Sequence, residues 1–258
     1  MNGLVSMVKH VLLKRLDEIA RALELSGHAL ALIGLGSVGL ELERLDAFSD
    51  LDFFVIVEPG YKQAYLDDLG WLSSVRPIAY GFANTKDGYK LLFADNIFCE
   101  FAVFEPEELQ NIPFAPGRVI WKQPHIPDTL SQPVIAPFTQ SKRDQAWLVG
   151  EALTNLLVGL AREKRGEKLS AMRFIQGYAV DRVLEMAEYV ETAQGVPKDA
   201  YANERRFEQR YPGVARQIAA CLQGYERNRE SALAILTFLE QHFAVNGEMA
   251  AAIRRLCV

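Results

Sequence analysis

Two apolar segments joined by a short polar stretch place the strongest constraint on the fold of this chain. Residues 31–57 read ALIGLGSVGLELERLDAFSDLDFFVIV, so that one apolar strand ends at Gly36-Ser37 and the next begins with Asp50 and Asp52. Carboxylates are poor strand residues, and two of them two positions apart point to the same face. Either they are solvated at the edge of a sheet, or a positive group lies between them.

Alternation along the second strand separates its residues into two faces. One face carries Asp50, Asp52, Phe54 and Ile56, and the other carries only apolar residues. Because both faces are mostly apolar, the pattern predicts a strand that is buried except at its start, where the two aspartates lie. In the segment NIFCEFAVF, Glu100 is the only charged residue of an apolar run. If this strand neighbours the strand that carries Asp50 and Asp52, Glu100 converges on the two aspartates.

Three carboxylates at close range do not all stay ionised without a cation. Oxygen ligands favour Mg²⁺, which keeps waters and takes substrate phosphates as further ligands. Asp50 and Asp52 are therefore candidate metal ligands, and Glu100 would share a metal or accept a proton. Gly36 allows close approach of the backbone, and Ser37 with the amides of a helix predicted from GSVGLELERLD could hold a phosphate. Three simpler roles stay open: a solvated strand start, an edge-strand charge and a helix cap.

The organisation along the chain predicts the α+β class. Residues 5–25 have helical spacing, and strand patterns alternate with helical ones up to about residue 122. The segment YKQAYLDDLGWLSSV is predicted to form one helix, and a hairpin is predicted around Ala94-Asp95-Asn96. Residues 124–140 contain four prolines and read as a linker. We expect a mixed sheet with helices in residues 1–135 and an all-helical bundle in residues 136–258.

Composition excludes several classes of protein. The 258 residues carry a net charge of −5, which argues against a nucleic-acid binder with a basic face. The three cysteines and four histidines are scattered, so neither a disulfide framework nor a zinc site is expected. No segment reads as a signal peptide or is long and apolar enough to span a bilayer. We therefore expect a cytoplasmic protein without a membrane partner.

The combination of Gly-Ser, Asp-x-Asp and a later isolated acid on a strand resembles the nucleotidyltransferase superfamily with the polymerase β-like fold. Over roughly residues 30–190 the chain is similar in pattern to the two-domain lincosamide nucleotidyltransferases. These share GS…SD followed by an acid, a hairpin like FADNIFCEFAVFEPEEL, and helical segments like LTNLLVGLAREKRGEKLS and VLEMAEYVE. The connection between Ser37 and Asp50 is longer and more acidic than is usual in that family.

The resemblance implies Mg²⁺-dependent transfer of a nucleoside monophosphate from a nucleoside triphosphate such as ATP to a hydroxyl of a small molecule. The acceptor would be an antibiotic of the lincosamide or aminoglycoside type. Asp50 and Asp52 would bind two Mg²⁺ ions, Glu100 would complete the catalytic set, and Gly36 and Ser37 would bind the nucleotide. The helical domain would form part of the acceptor cleft, no nucleic acid would take part, and a homodimer stays open.

Two alternatives to this function remain. The first is a degenerate member of the fold that binds a nucleotide or a partner protein without turnover. The second is a transferase that acts on a protein or on RNA ends, although the chain lacks the basic stripe that RNA binding favours.

Overall fold

A computed structural model describes residues 2–136, 143–199 and 202–258. The chain divides into two compact units, Met1–Pro137 and Phe138–Val258. The predicted boundary between residues 135 and 136 lies beside residues 137–142, which are outside the described ranges. That boundary and the separate roles of the two domains therefore stay predictions.

The first unit is built on one six-stranded sheet. Its strands are β1 (Ala29–Gly34), β2 (Leu51–Val57), β3 (Ile78–Thr85), β4 (Gly88–Phe93), β5 (Phe98–Phe104) and β6 (Arg118–Lys122). Their order across the sheet is β3-β4-β5-β2-β1-β6. Neighbouring strands are antiparallel except β2 and β5, which are parallel. The predicted hairpin is present between β4 and β5, and Asn96 adopts a φ of 65° in its turn, a conformation that asparagine tolerates.

The two faces of the sheet carry two separate cores. Alternate residues of β2 such as Phe53 and Val55 belong to the larger core, which also contains apolar residues of helix α1 (Asn2–Ser26). Ile56 belongs to a smaller core on the opposite face, where Phe54 packs against its edge. The alternation predicted from the sequence is therefore present. Because the smaller core does not extend to the start of β2, that start faces a cleft.

Two short helices replace the single helix predicted before β3. They are α2 (Lys62–Asp67) and α3 (Gly70–Ser73). The break follows Asp68, whose carboxylate accepts a hydrogen bond from the Gly70 N–H at 2.7 Å. Aspartate and glycine are unfavourable inside a helix, and the side-chain bond stabilises a new start, so the prediction of one continuous helix was wrong.

In its described residues, 143–199 and 202–258, the second unit contains helices and connecting loops and no strand. Its helices are α4 (Gln145–Lys164), α5 (Lys168–Met172), a π-helix (Arg173–Ala179), α6 (Val180–Val190), α7 (Phe207–Arg210), α8 (Pro212–Cys221), α9 (Asn228–His242) and α10 (Gly247–Cys257). They share one core, with Leu156, Ile175 and Ile235 at its centre. The predicted α+β class with a C-terminal helical region is confirmed. Among the described residues, no helix has the length and apolar character of a membrane span.

Candidate active site

Asp52 and Glu100 lie side by side near the amino-terminal ends of two neighbouring strands. They are register partners in the parallel pair of β2 and β5, and adjacent strands run about 4.8 Å apart. Register partners point to the same face, which here is the face of the smaller core. Both residues line a cleft of about 380 Å³. The structure therefore brings Glu100 next to Asp52.

The turn after β1 closes beside Asp52. The Leu35 N–H donates a hydrogen bond to the Asp52 carbonyl oxygen at 2.8 Å. Gly36 has a φ of +52°, and a Cβ atom placed on it would lie 3.8 Å from Asp52 Oδ2. Within the described residues, the N–H groups of Gly36 and Ser37 take no part in the backbone hydrogen bonds. These two donors therefore stay available to an anion bound next to Asp52.

The prediction of a helix after this turn is wrong. The chain instead forms two 3₁₀ turns, Gly36–Val38 and Leu42–Arg44. A Cβ atom on Gly39 would lie only 2.7 Å from the Gly34 carbonyl oxygen, so the backbone folds back on itself too tightly for an α-helix to continue. Ser37 therefore caps no α-helix, and an anion here would meet turn amides without the dipole of a long helix.

Arg118 on β6 holds the turn from the neighbouring strand. Its guanidinium donates to the carbonyl oxygens of Val38 at 2.9 Å and Gly39 at 3.2 Å. Burial lowers the pKa of Arg118, against the opposing effect of the negative charge of Asp17. A partly buried cation thus fixes the shape of the turn through its carbonyl groups.

Asp50 lies just before β2 and lines a different cavity. That cavity has a volume of about 420 Å³ and also contacts Asn96 in the β4–β5 turn. Burial first, and then the charges of Asp52 and Asp50, raise the pKa of the Cys99 thiol to about 12. Both aspartates therefore act on the same buried neighbour. Among the described residues, however, no three His, Cys, Asp or Glu side chains are placed to hold a metal ion, so the three carboxylates do not form a ready cage.

Both carboxylate oxygens of Glu100 have partners. Lys90 Nζ lies 3.2 Å from Oε2, and Asn84 Nδ2 donates to Oε1 at 2.8 Å. Lys90 is also the register partner of Glu100 across β4 and β5. A row of Lys90, Glu100 and Asp52 therefore crosses three strands on one face, with a positive charge next to two negative ones.

Sequence reasoning missed Lys90 and Asn84. A hairpin centred on Asp95 pairs residues at equal distances from its turn, so the position of Lys90 opposite Glu100 could be read from the sequence. Asn84 gives no such signal, because the register of β3 against β4 shifts at its position. Such a β-bulge follows no simple residue pattern.

Comparisons with known proteins give similarity at low sequence identity. No protein-family model and no curated protein sequence matches the chain. An aminoglycoside 6-adenyltransferase from Bacillus subtilis shares 13% identity, with 93% of this chain and 89% of that chain covered and a TM-score of 0.33. A nucleotidyltransferase-like protein from Exiguobacterium sibiricum 255-15 shares 12% identity, with 87% and 75% covered and a TM-score of 0.34. Superpositions this loose do not decide the function.

Proposed function

We propose that this chain is a Mg²⁺-dependent nucleotidyltransferase that moves a nucleoside monophosphate from a nucleoside triphosphate to a hydroxyl of a small molecule. The observation that supports this most is the register pairing of Asp52 with Glu100 beside the turn at Gly36. The amides of the turn and the carboxylates of Asp52 and Glu100 lie at one end of one sheet, which supports roles for them in binding phosphate, a metal and a proton. Transfer of a phosphorus group depends on positioning and charge neutralisation of this kind.

Asp50 and Asp52 are the residues that would hold Mg²⁺. Their oxygens are the donors that Mg²⁺ prefers, and magnesium sites commonly use one or two carboxylates and leave the other positions to water and phosphate. The donor chemistry therefore fits the ion, although Asp50 and Asp52 line different cavities and the described residues form no group of three ligands. We expect two metal ions. When bound, they would neutralise the negative charge that develops on the phosphate oxygens.

The other roles belong to the chain itself. The N–H groups of Gly36 and Ser37, with the Ser37 hydroxyl, would donate to the phosphates of the nucleotide. Glu100 would accept the proton of the acceptor hydroxyl. At the same time the hydroxyl oxygen would bond to the α-phosphorus, and the bond from that phosphorus to pyrophosphate would break. A general base contributes about 10²–10⁴-fold to such a rate.

The acceptor is proposed from the sequence resemblance. A lincosamide or an aminoglycoside, with ATP as donor, is the first pair to test, and the helical unit would contribute to acceptor binding. We further propose that the reaction takes place in the cytoplasm.

Nucleotide binding without turnover is the second candidate. The contacts of Lys90 and Asn84 with both oxygens of Glu100 favour it, because a carboxylate whose two oxygens already have partners can serve a structural role instead of accepting a proton.

Release of pyrophosphate by the purified protein separates the two candidates. It is measured with Mg²⁺, each nucleoside triphosphate and a panel of lincosamides and aminoglycosides. We expect release that depends on an acceptor, a fall by orders of magnitude in Glu100→Gln, and an unchanged rate in the control Glu107→Gln, which alters an exposed acid. Isothermal titration should show that Glu100→Gln retains nucleotide binding and Asp52→Asn loses it. Binding without release in the wild type would favour the second candidate, and absence of binding would contradict both.

A further inference from the structure

We propose that Lys90 and Asn84 are positioning residues that fix the Glu100 carboxylate from two sides for proton transfer. The proposal rests on the function proposed above, because it assigns Glu100 the role of base. Each partner contacts a different oxygen, Asn84 at 2.8 Å and Lys90 at 3.2 Å. Two contacts on two oxygens fix the plane of a carboxylate, whereas one contact leaves it free to rotate.

Asn84 reaches Glu100 from a local irregularity of the sheet. The register shift in β3 lies at Asn84, between the pairs formed by Ala83 and Thr85, and a bulge re-aims the side chain of its extra residue. Glu100 is on β5, so the Asn84 side chain must pass over β4. At Gly88, which pairs with Ala102, a Cβ atom would lie 2.1 Å from the Phe101 carbonyl oxygen. Glycine at this position thus lets the backbones of β4 and β5 approach closely.

Lys90 supplies the second contact and is the positive member of the row of Lys90, Glu100 and Asp52. Lys62, which binds the cleft-lining Asp87 at 2.6 Å, is also held by Glu108 at 2.5 Å. Lys62 is therefore committed to two carboxylates elsewhere. Of these two lysines, Lys90 is the one placed to orient Glu100.

The Asn84 amide also has a feature that is unfavourable for stability. Its Oδ1 atom is buried and has no hydrogen-bond partner among the described residues, which is unfavourable in a folded protein. Violations of this kind concentrate at functional sites. An apolar side chain would remove the unsatisfied oxygen, but it would also remove the donor that Glu100 uses.

Four variants test the proposal. Lys90→Met and Asn84→Leu remove one contact each while keeping similar side-chain size, and Lys90→Arg restores a cation. Lys86→Met is the matched control, because Lys86 is exposed in the loop between β3 and β4. Each variant is made in the wild type and in Glu100→Gln. The measurements are kcat and KM for transfer, nucleotide affinity by isothermal titration, thermal melting, and the NMR shifts of the Asn84 side-chain amide.

We expect kcat to fall about 10–100-fold in Lys90→Met and Asn84→Leu, because misplacing a reacting group by about 1 Å costs this much. KM for the nucleotide should stay unchanged, Lys90→Arg should recover most of the rate, and neither change should lower the residual rate of Glu100→Gln. A KM increase at unchanged kcat would overturn the proposal, as would an equal further loss in Glu100→Gln.

The NMR measurement separates this proposal from the proposed function. If Lys90→Met and Glu100→Gln both shift the Asn84 side-chain amide while Lys86→Met does not, the two-sided contact exists. Such shifts in a protein without transfer activity would leave the contacts standing and refute the assigned reaction. Normal transfer in Lys90→Met and Asn84→Leu would refute the positioning role and leave the reaction standing.

Discussion

Replacing Gly36 with alanine should weaken nucleotide binding far more than it weakens the fold. Gly36 has a φ of +52°, where a side chain costs roughly 1–2 kcal/mol. In a unit of this size each kcal/mol lowers the melting temperature by roughly 2–4 °C. The protein should therefore remain folded at room temperature with a melting point only a few degrees lower.

The effect on binding follows from the position of the added methyl group. Its carbon would lie 3.8 Å from Asp52 Oδ2, which is van der Waals contact and leaves no room for another atom between them. The methyl group would thus fill the space beside the Gly36 and Ser37 amides that the nucleotide phosphates are proposed to enter. We expect at least a tenfold loss of affinity, or roughly 1.4 kcal/mol.

Gly60→Ala is the matched control for this experiment. Gly60 has a φ of +88°, and a Cβ atom there would meet nothing within 4 Å, so the conformational cost is similar and no site is blocked. Isothermal titration of ATP, GTP, CTP and UTP with Mg²⁺ should show a loss only in Gly36→Ala, whereas thermal melting should show a decrease in both. Wild-type nucleotide affinity in Gly36→Ala would refute the assignment of this turn.

Two further predictions concern the supports of the site. Asp95→Asn should lower the free energy of unfolding by about 1 kcal/mol at pH 7, a value reduced by solvent screening, because Asp95 pairs with the buried Arg15 at 2.5 Å. The hydrogen bond from Arg15 lowers the pKa of Asp95. This stabilisation is therefore present above the ordinary aspartate pKa and is lost on further acidification. In urea unfolding, the free energies of unfolding of the wild type and Asp95→Asn should converge below about pH 4. Arg118→Met should cost about 1–3 kcal/mol in the same assay by leaving the carbonyls of Val38 and Gly39 without a donor, and a stability equal to the wild type would contradict that role.

Much of the sheet could be predicted from local patterns. The alternation in β2 gave its two faces, because side chains alternate along any strand. The β4–β5 hairpin followed from Asp95 and Asn96, which tolerate turn conformations. Glu100 stood out as a single charge in an apolar strand, and its neighbour Asp52 as an acid at a strand start.

The features that could not be predicted depend on tertiary contacts. The short turns after β1 follow from the close approach of Gly39 to Gly34, which no helical pattern records. The reach of Asn84 depends on a bulge in β3, which is understood only when β3, β4 and β5 are seen together. The parallel pairing of β2 with β5 joins strands that are distant in sequence. Local patterns do not select this pairing from the many possible strand orders.

The strand order also predicts the order in which the parts of the site assemble during folding. Asp52 and Glu100 are about 50 residues apart in the chain, and closing a flexible loop of that length costs roughly 3–4 kcal/mol more than a single-residue reference. The β4–β5 hairpin closes a much shorter loop and forms within microseconds in typical proteins. We therefore expect the hairpin to bring Lys90 to Glu100 before β2 docks against it. If this order holds, refolding of Lys90→Met should be slower than that of the wild type, because Glu100 would then lack its paired charge when β2 docks.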